Sequence, residues 1–347
     1  MLSARMAIQL RLLPLALAFG LAASGCGAPE KVVESPRDSE YGRLELSARA
    51  AFERGELEYA RNLYGRQLLQ AERSDDALKI GDSAYNLAVC EIALGGTDRA
   101  RGLLSTALFE LGRAGERLAP VHVVRARLEH LAGESDACLQ AADRALQSSS
   151  GATRREQIEA LALRGLALIA GDAPVPGERR SAAGVALERA EKLAKKLGGR
   201  DSMPSSALRL RARLAQHDRQ FANAARAYER EAEVLQARSR YDFMSEALEL
   251  AGRAWLAAGE PARAGDRLLR AARSRFAHAQ GREVPARRAL VHLEDAARLC
   301  HLVSESGALD ADPALAPRQQ ILVARIEVER ERAQGVLDML GAPAASE

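Results

Sequence analysis

The side chains able to do chemistry are six histidines, four cysteines and a scatter of carboxylates. Their spacing argues against an active site. His292, Glu294, Asp295, Cys300 and His301 form the densest cluster. On one helix, His292 and His301 lie about two and a half turns apart on opposite faces, so one metal ion does not reach both. The acid pairs Asp75-Asp76 and Glu294-Asp295 are adjacent. Adjacent residues diverge on a helix, which suits no acid–base couple. The chain has no Gly-x-Ser-x-Gly elbow, no Gly-x4-Gly-Lys-Ser/Thr phosphate loop and no His-Glu-x2-His motif. The expectation is a protein that is not an enzyme, with no catalytic residue, no cofactor and no metal.

One cysteine has different surroundings. Cys26 closes the run Leu21-Ala22-Ala23-Ser24-Gly25-Cys26. Arg5, Arg11 and an apolar stretch from Leu12 to Ala23 precede it. A positive start, a short apolar core and small residues before a cut site are the parts of an export leader. The apolar stretch is about 12 residues, whereas a spanning helix needs ~20. The run is similar to the lipobox of bacterial lipoproteins, with Ala23 where leucine is usual. That resemblance implies cleavage before Cys26 and lipid on its sulfur. Gly27, standing where aspartate would favour the inner membrane, implies the periplasmic face of a bacterial outer membrane. An ordinary cleaved leader is the alternative. The expected layout is a signal peptide at 1–25, a lipidated cysteine and flexible tether at 26–40, a folded part at 41–340 and a tail at 341–347.

Losing that leader removes Arg5 and Arg11 and no acid, so the net charge falls from +3 to +1. No basic excess remains for nucleic acid. Arginine outnumbers lysine 45 to 5. Aromatics are only 4% of the chain, while alanine and leucine abound, which favours packed helices over sheets. Cys90, Cys138 and Cys300 fall in helical patterns among apolar residues. They read as small buried fillers, with one disulfide and a free thiol left open.

A repeat runs from Tyr41 onward. One segment has Ala48, Phe52, Gly55, Tyr59, Ala60 and Tyr64. A second has Ala88, Gly95, Ala100 and Leu104. A third has Ala126, Gly133 and Cys138. Later ones have Ala212, Phe221, Ala224 and Tyr228, then Gly252, Trp255, Gly259, Ala264 and Leu268. The small residues at 60, 100, 138, 224 and 264 step by 40, 38, 86 and 40. The step of 86 hides one more unit, seen as helical patterns over Glu156–Ala170 and Ser181–Leu197. Ala286–Ser304 and Arg318–Leu340 read as a divergent last pair. Glu327, Glu329, Arg330, Glu331 and Arg332 suit a polar cap there.

These segments resemble the tetratricopeptide repeat. The resemblance implies an all-α fold, an α-solenoid of about six to seven helical hairpins. Small residues at positions 8 and 20 let helices cross closely, and glycine near 15 ends the first helix. The period here is near 40 rather than 34, and the surplus is expected to lengthen the second helices. Trp255 takes a large-residue slot in the core.

In such repeats positions 2, 5, 9 and 12 of the first helices face a groove. Position 9 is Arg49, Val89, Arg127, Arg213 and Arg253, and Arg209 stands at a position 5. The expectation is a basic stripe that takes an acidic or C-terminal peptide segment of a partner protein through paired hydrogen bonds. Phe52, Tyr85, Asn86, Val89, Ile92 and Leu256 line the same face. A competing expectation is that the arginines neutralise their own neighbours. Glu45–Arg49 and Glu249–Arg253 are i,i+4 pairs, worth about 0.2–0.5 kcal/mol each. A known carboxylate-clamp pattern is matched by Asn86 but not by Glu45, Arg49, Pro120 or Val124. By this reading the chain is a lipid-anchored scaffold, similar in layout to lipoproteins that serve outer-membrane protein or pilus assembly. A small-ligand or cell-wall-glycan binder is the alternative.

Overall fold

A computed structural model describes residues 36–147, 152–171, 175–198, 203–281, 284 and 286–339. The leader, Cys26, the start of the tether and the tail lie outside the described residues. Every regular element among those described is an α-helix. The chain divides into two compact units, 1–156 and 157–347.

The first unit holds three hairpins: α1 (Pro36–Glu53) with α2 (Leu57–Arg73), α3 (Ala77–Leu94) with α4 (Thr97–Arg113), and α5 (Ala119–Leu131) with α6 (Ser135–Gln147). α1 begins at Pro36, inside the segment expected to be tether. α7 (Arg154–Leu168) starts at the division, its first turn held by a reciprocal cap. The Thr153 hydroxyl accepts from the Glu156 amide, and the Glu156 carboxylate accepts from the Thr153 amide. The second unit continues with α8 (Gly177–Lys195), α9 (Ser205–His217), α10 (Phe221–Ala237), α11 (Tyr241–Ala257), α12 (Pro261–Ala279), α13 (Ala286–Glu305), the short α14 (Ala308–Ala311) and α15 (Leu315–Met339). Seven hairpins result, and the fold is an α-solenoid of tetratricopeptide-like units. The hidden fourth is α7 with α8, and the divergent last is α13 with α15.

The small residues do what their spacing requires. Ala60, Ala100, Cys138, Ala224 and Ala264 are all fully buried. Within each unit, first helices pack into the groove of the hairpin before them. Leu87 and Cys90 of α3 join Ala48, Ala51, Leu63 and Tyr64 of α1 and α2. Ala251, Ala254 and Trp255 of α11 likewise join Ala212, Ala225 and Tyr228 of α9 and α10. At Gly252 a Cβ would lie 2.7 Å from Cγ of Leu268, so α11 and α12 cross too closely for a side chain. Cys90, Cys138 and Cys300 are buried free thiols. Burial pushes the first two up to about 12 and Cys300 up to about 11, which keeps them protonated.

The long period has a cause that differs from the expected one. The surplus is shared: α1 and α3 have 18 residues each, α2 and α4 have 17. Five of the hairpin turns among the described residues are closed by one hydrogen bond of a left-handed cap, as from the Gly96 amide to the Glu91 carbonyl at 2.8 Å. The α4–α5 and α10–α11 turns between hairpins use the same bond, from the Glu116 amide to the Leu111 carbonyl at 2.8 Å and from the Arg240 amide to the Leu235 carbonyl at 2.9 Å. Left-handed residues therefore recur at 55, 75, 95 and 115, and again at 219, 239 and 259. The repeat of 40 is two half-repeats of 20, each ended by the same cap. Gly95 adopts φ 83° without penalty, whereas Arg219 and Ser239 hold φ near 55° with side chains attached.

The cap expected on α15 is not purely polar. Its solvent side carries Ile321, Val328 and Met339 among the charged residues.

Candidate functional site

The predicted groove residues fall into two sets, one in each unit. In the first unit, Arg49 donates to Glu53 at 3.0 Å rather than to Glu45. Phe52 packs against the α1–α3 core. Tyr85 and Val89 pack against the α3–α5 core, and Asn86 beside them is half-buried. Burial pushes the Tyr85 hydroxyl up, and the positive charge of Arg127 draws it down.

In the second unit, Arg209 of α9 is engaged twice. It donates to Glu231 at 2.8 Å and to Glu246 at 2.7 Å. Its guanidinium ties α9 to α10 and α11, which removes it as a free cation. Arg213 is half-buried one turn on, and its charge bears on Tyr228. The Tyr228 hydroxyl donates to Gln216 at 2.9 Å.

The strongest concentration of charge surrounds Glu249 on α11. Arg253 donates to its Oε1 through Nη2 at 3.0 Å. Arg275 of α12 donates to Oε2 at 2.8 Å. Arg298 of α13 grips both oxygens, at 3.1 and 3.3 Å. Asp295 completes the group, paired with Arg275 and Arg298. Burial pushes the Glu249 carboxyl up. The Arg298 hydrogen bonds and the charges of Arg275, Arg298 and Arg253 outweigh it and hold the group below its ordinary value. Three guanidinium groups thus meet two carboxylates. The Arg275 side chain is 13% exposed, while those of Arg253 and Arg298 are 52% and 45% exposed. The surplus positive charge lies on those two outer arginines.

Sequence spacing found Arg253 and its Glu249 partner. It does not mark Arg275 or Arg298, because Arg275 stands on a second helix and the motif fades after Ala271. Trp255 fills the core as expected, with its indole N–H donating to Glu229 at 2.9 Å. Arg263 stacks 4.8 Å from its ring centre. No group of three or more His, Cys, Asp or Glu among the described residues is placed to hold a metal ion. No helix among them is long and apolar enough to cross a membrane.

No family model matches the chain, and no curated protein does. Among solved structures, it is similar to a tetratricopeptide repeat protein from Parabacteroides merdae, at 15% identity and a TM-score of 0.45, covering 83% of this chain and 99% of that one. The TPR2AB domain of yeast Sti1 in its pHSP90 complex matches at 14% identity and a TM-score of 0.30, over 83% of this chain and 99% of that one. A signal-transduction ATPase with a tetratricopeptide repeat sensor, from Pyrococcus horikoshii, matches at 12% identity and 0.31, over 88% and 49%. The fold class rests on the hairpins, caps and buried small residues described above.

Proposed function

We propose that this protein is a non-catalytic adaptor that captures an acidic segment of a partner protein on the α11–α13 face. The supporting observation is the unequal cluster at Glu249, where three arginines share two carboxylates and the two outer ones reach solvent. Guanidinium groups held by an internal carboxylate are already oriented, so an incoming carboxylate orders them at little further cost. Arg213 of α9 extends the same polarity in the second unit. The glycan alternative loses its best platform, since the only tryptophan is 3% exposed.

The adaptor is anchored through lipid on Cys26, at the periplasmic face of an outer membrane, where it serves assembly of outer-membrane or secreted components. The leader, with its lipobox-like run, supports this address. Two experiments test the proposal. Charge reversal of Arg253 and Arg298 should abolish cross-linked capture of an acidic peptide at low salt, with helicity retained. Capture unchanged in the double variant overturns the peptide site. Cys26→Ser should end incorporation of a labelled fatty acid, and continued incorporation overturns the anchor.

A further inference from the structure

α9, α10 and α11 meet around one base and two acids. Arg209 of α9 donates through Nε to Oε1 of Glu231 on α10, and through Nη1 to Glu246 on α11. Glu231 is 2% exposed, whereas the Glu246 side chain is 45% exposed. The second oxygen of Glu231, Oε2, is buried and has no hydrogen-bond partner among the described residues. The other charged groups at this crossing are engaged elsewhere. Arg213 of α9 bears on Tyr228 of α10, whose hydroxyl is bonded to Gln216. Glu249 of α11 is taken up by Arg253, Arg275 and Arg298.

Glu129 of the first unit shows the difference. There Arg101 reaches both carboxylate oxygens, and Arg125 approaches as well. At Glu231 one guanidinium is divided between two carboxylates. An ionised Glu231 therefore leaves the group one negative charge in excess, with a buried oxygen that no donor meets. A proton on Oε2 removes the excess charge. Oε1 stays free to accept from Arg209, and Glu246 alone balances the guanidinium.

We propose that Glu231 is a proton-operated latch: with a proton on Oε2 it holds α9, α10 and α11 together, and once ionised it loosens their crossing. Burial pushes its carboxyl up to about 7 against the opposing charge and hydrogen bond of Arg209, and the charge of Glu246 adds to the rise. The folded chain thus holds this proton more firmly than the unfolded chain, whose carboxyl keeps its ordinary 4.5. The contribution to stability is full below 4.5 and is lost as pH rises through about 7. That window lies above the one in which Glu249 titrates. α11 also carries Arg253, so the proton sets how firmly that helix is held.

Two measurements on the folded protein test this. The infrared band of a protonated carboxylic acid should be present at about pH 6 and fade by about pH 8, and Glu231→Gln should abolish it. Native-state hydrogen exchange, corrected for intrinsic rates, should show α9–α11 losing protection over the same range, and Glu231→Gln should flatten that loss. Glu246→Gln gives Arg209 wholly to Glu231, so it should weaken proton binding about ten-fold and move both transitions to lower pH. Glu246 lies partly in solvent, so its variant remains readable if Glu231→Gln does not fold. A wild-type chain without the acid band at about pH 6 overturns the proposal. So does a Glu246→Gln variant with unmoved transitions, or protection of α9–α11 that ignores pH.

Discussion

Glu129 in the first unit and Glu249 in the second are both buried carboxylates on first helices, yet they are balanced differently. Glu129 on α5 receives Arg101 from α4, with Nη2 at 2.7 Å and Nε at 3.1 Å from one oxygen. Arg125 approaches to 3.7 Å, and Arg101 also holds Asp98. Two arginines meet two acids, and the group closes on itself. Around Glu249 three arginines converge from three helices. One such arrangement seals a helix crossing. The other leaves positive charge directed outward, on which the proposed capture rests.

The largest test of this contrast removes each carboxylate in turn. Glu249→Gln leaves the half-buried Arg275 with Asp295 as its sole acid, and removes the buried partner of three arginines, so it should cost about 3–5 kcal/mol. Glu129→Gln should cost about 1–2 kcal/mol, because Arg101 keeps Asp98 and reaches water. Equal shifts in urea unfolding would break the contrast. The same cluster responds to acid. The Glu249 carboxyl is held below its ordinary value of 4.5. Its contribution to stability is therefore full above that value, and is lost as pH falls through the lowered folded value. Wild-type stability should decline over that acid range, and Glu249→Gln should show a shallower decline.

A smaller effect concerns the helix crossings. Gly252→Ala should cost about 1–3 kcal/mol, since the new methyl meets Leu268. Ala88 holds the matching place in the first unit with its methyl already packed. Ala88→Gly should cost about 1–2 kcal/mol, through helix propensity and the loss of a packed methyl. The smallest effect concerns the caps. Arg219→Gly should raise the second unit's stability by about 1 kcal/mol, relieving a left-handed backbone that the first unit gives to glycine at the same turn. A thermal melt that falls instead would show that the Arg219 side chain does more than occupy the turn.

Much of the fold was legible because its demands are local and periodic. Ala60, Ala100, Ala224 and Ala264 announce close crossings by size alone, and Gly55, Gly95 and Gly259 announce caps. The second cap of each repeat was not legible. Asp75, Gly115 and Ser239 share a conformation but no residue type, so the half-repeat of 20 stayed hidden and the surplus length was misplaced. The site was legible only along one helix. Glu249 and Arg253 are four residues apart and had to meet. Arg49 had acids one turn away on both sides, Glu45 and Glu53, and sequence could not choose between them.

By itself, the sequence determined the helical class, a solenoid of about six to seven hairpins and the buried small residues. These follow from periodicity, side-chain volume and the order of charge and apolar residues along one strand of covalent chain. The tertiary structure alone decided which arginines remain available. Arg209 and Arg253 look alike in the repeat, yet one is held between Glu231 and Glu246 while the other shares a single carboxylate with two more arginines. The charge that a guanidinium presents depends on acids that arrive from other helices, and stacking of hairpins, not spacing along the chain, brings them there.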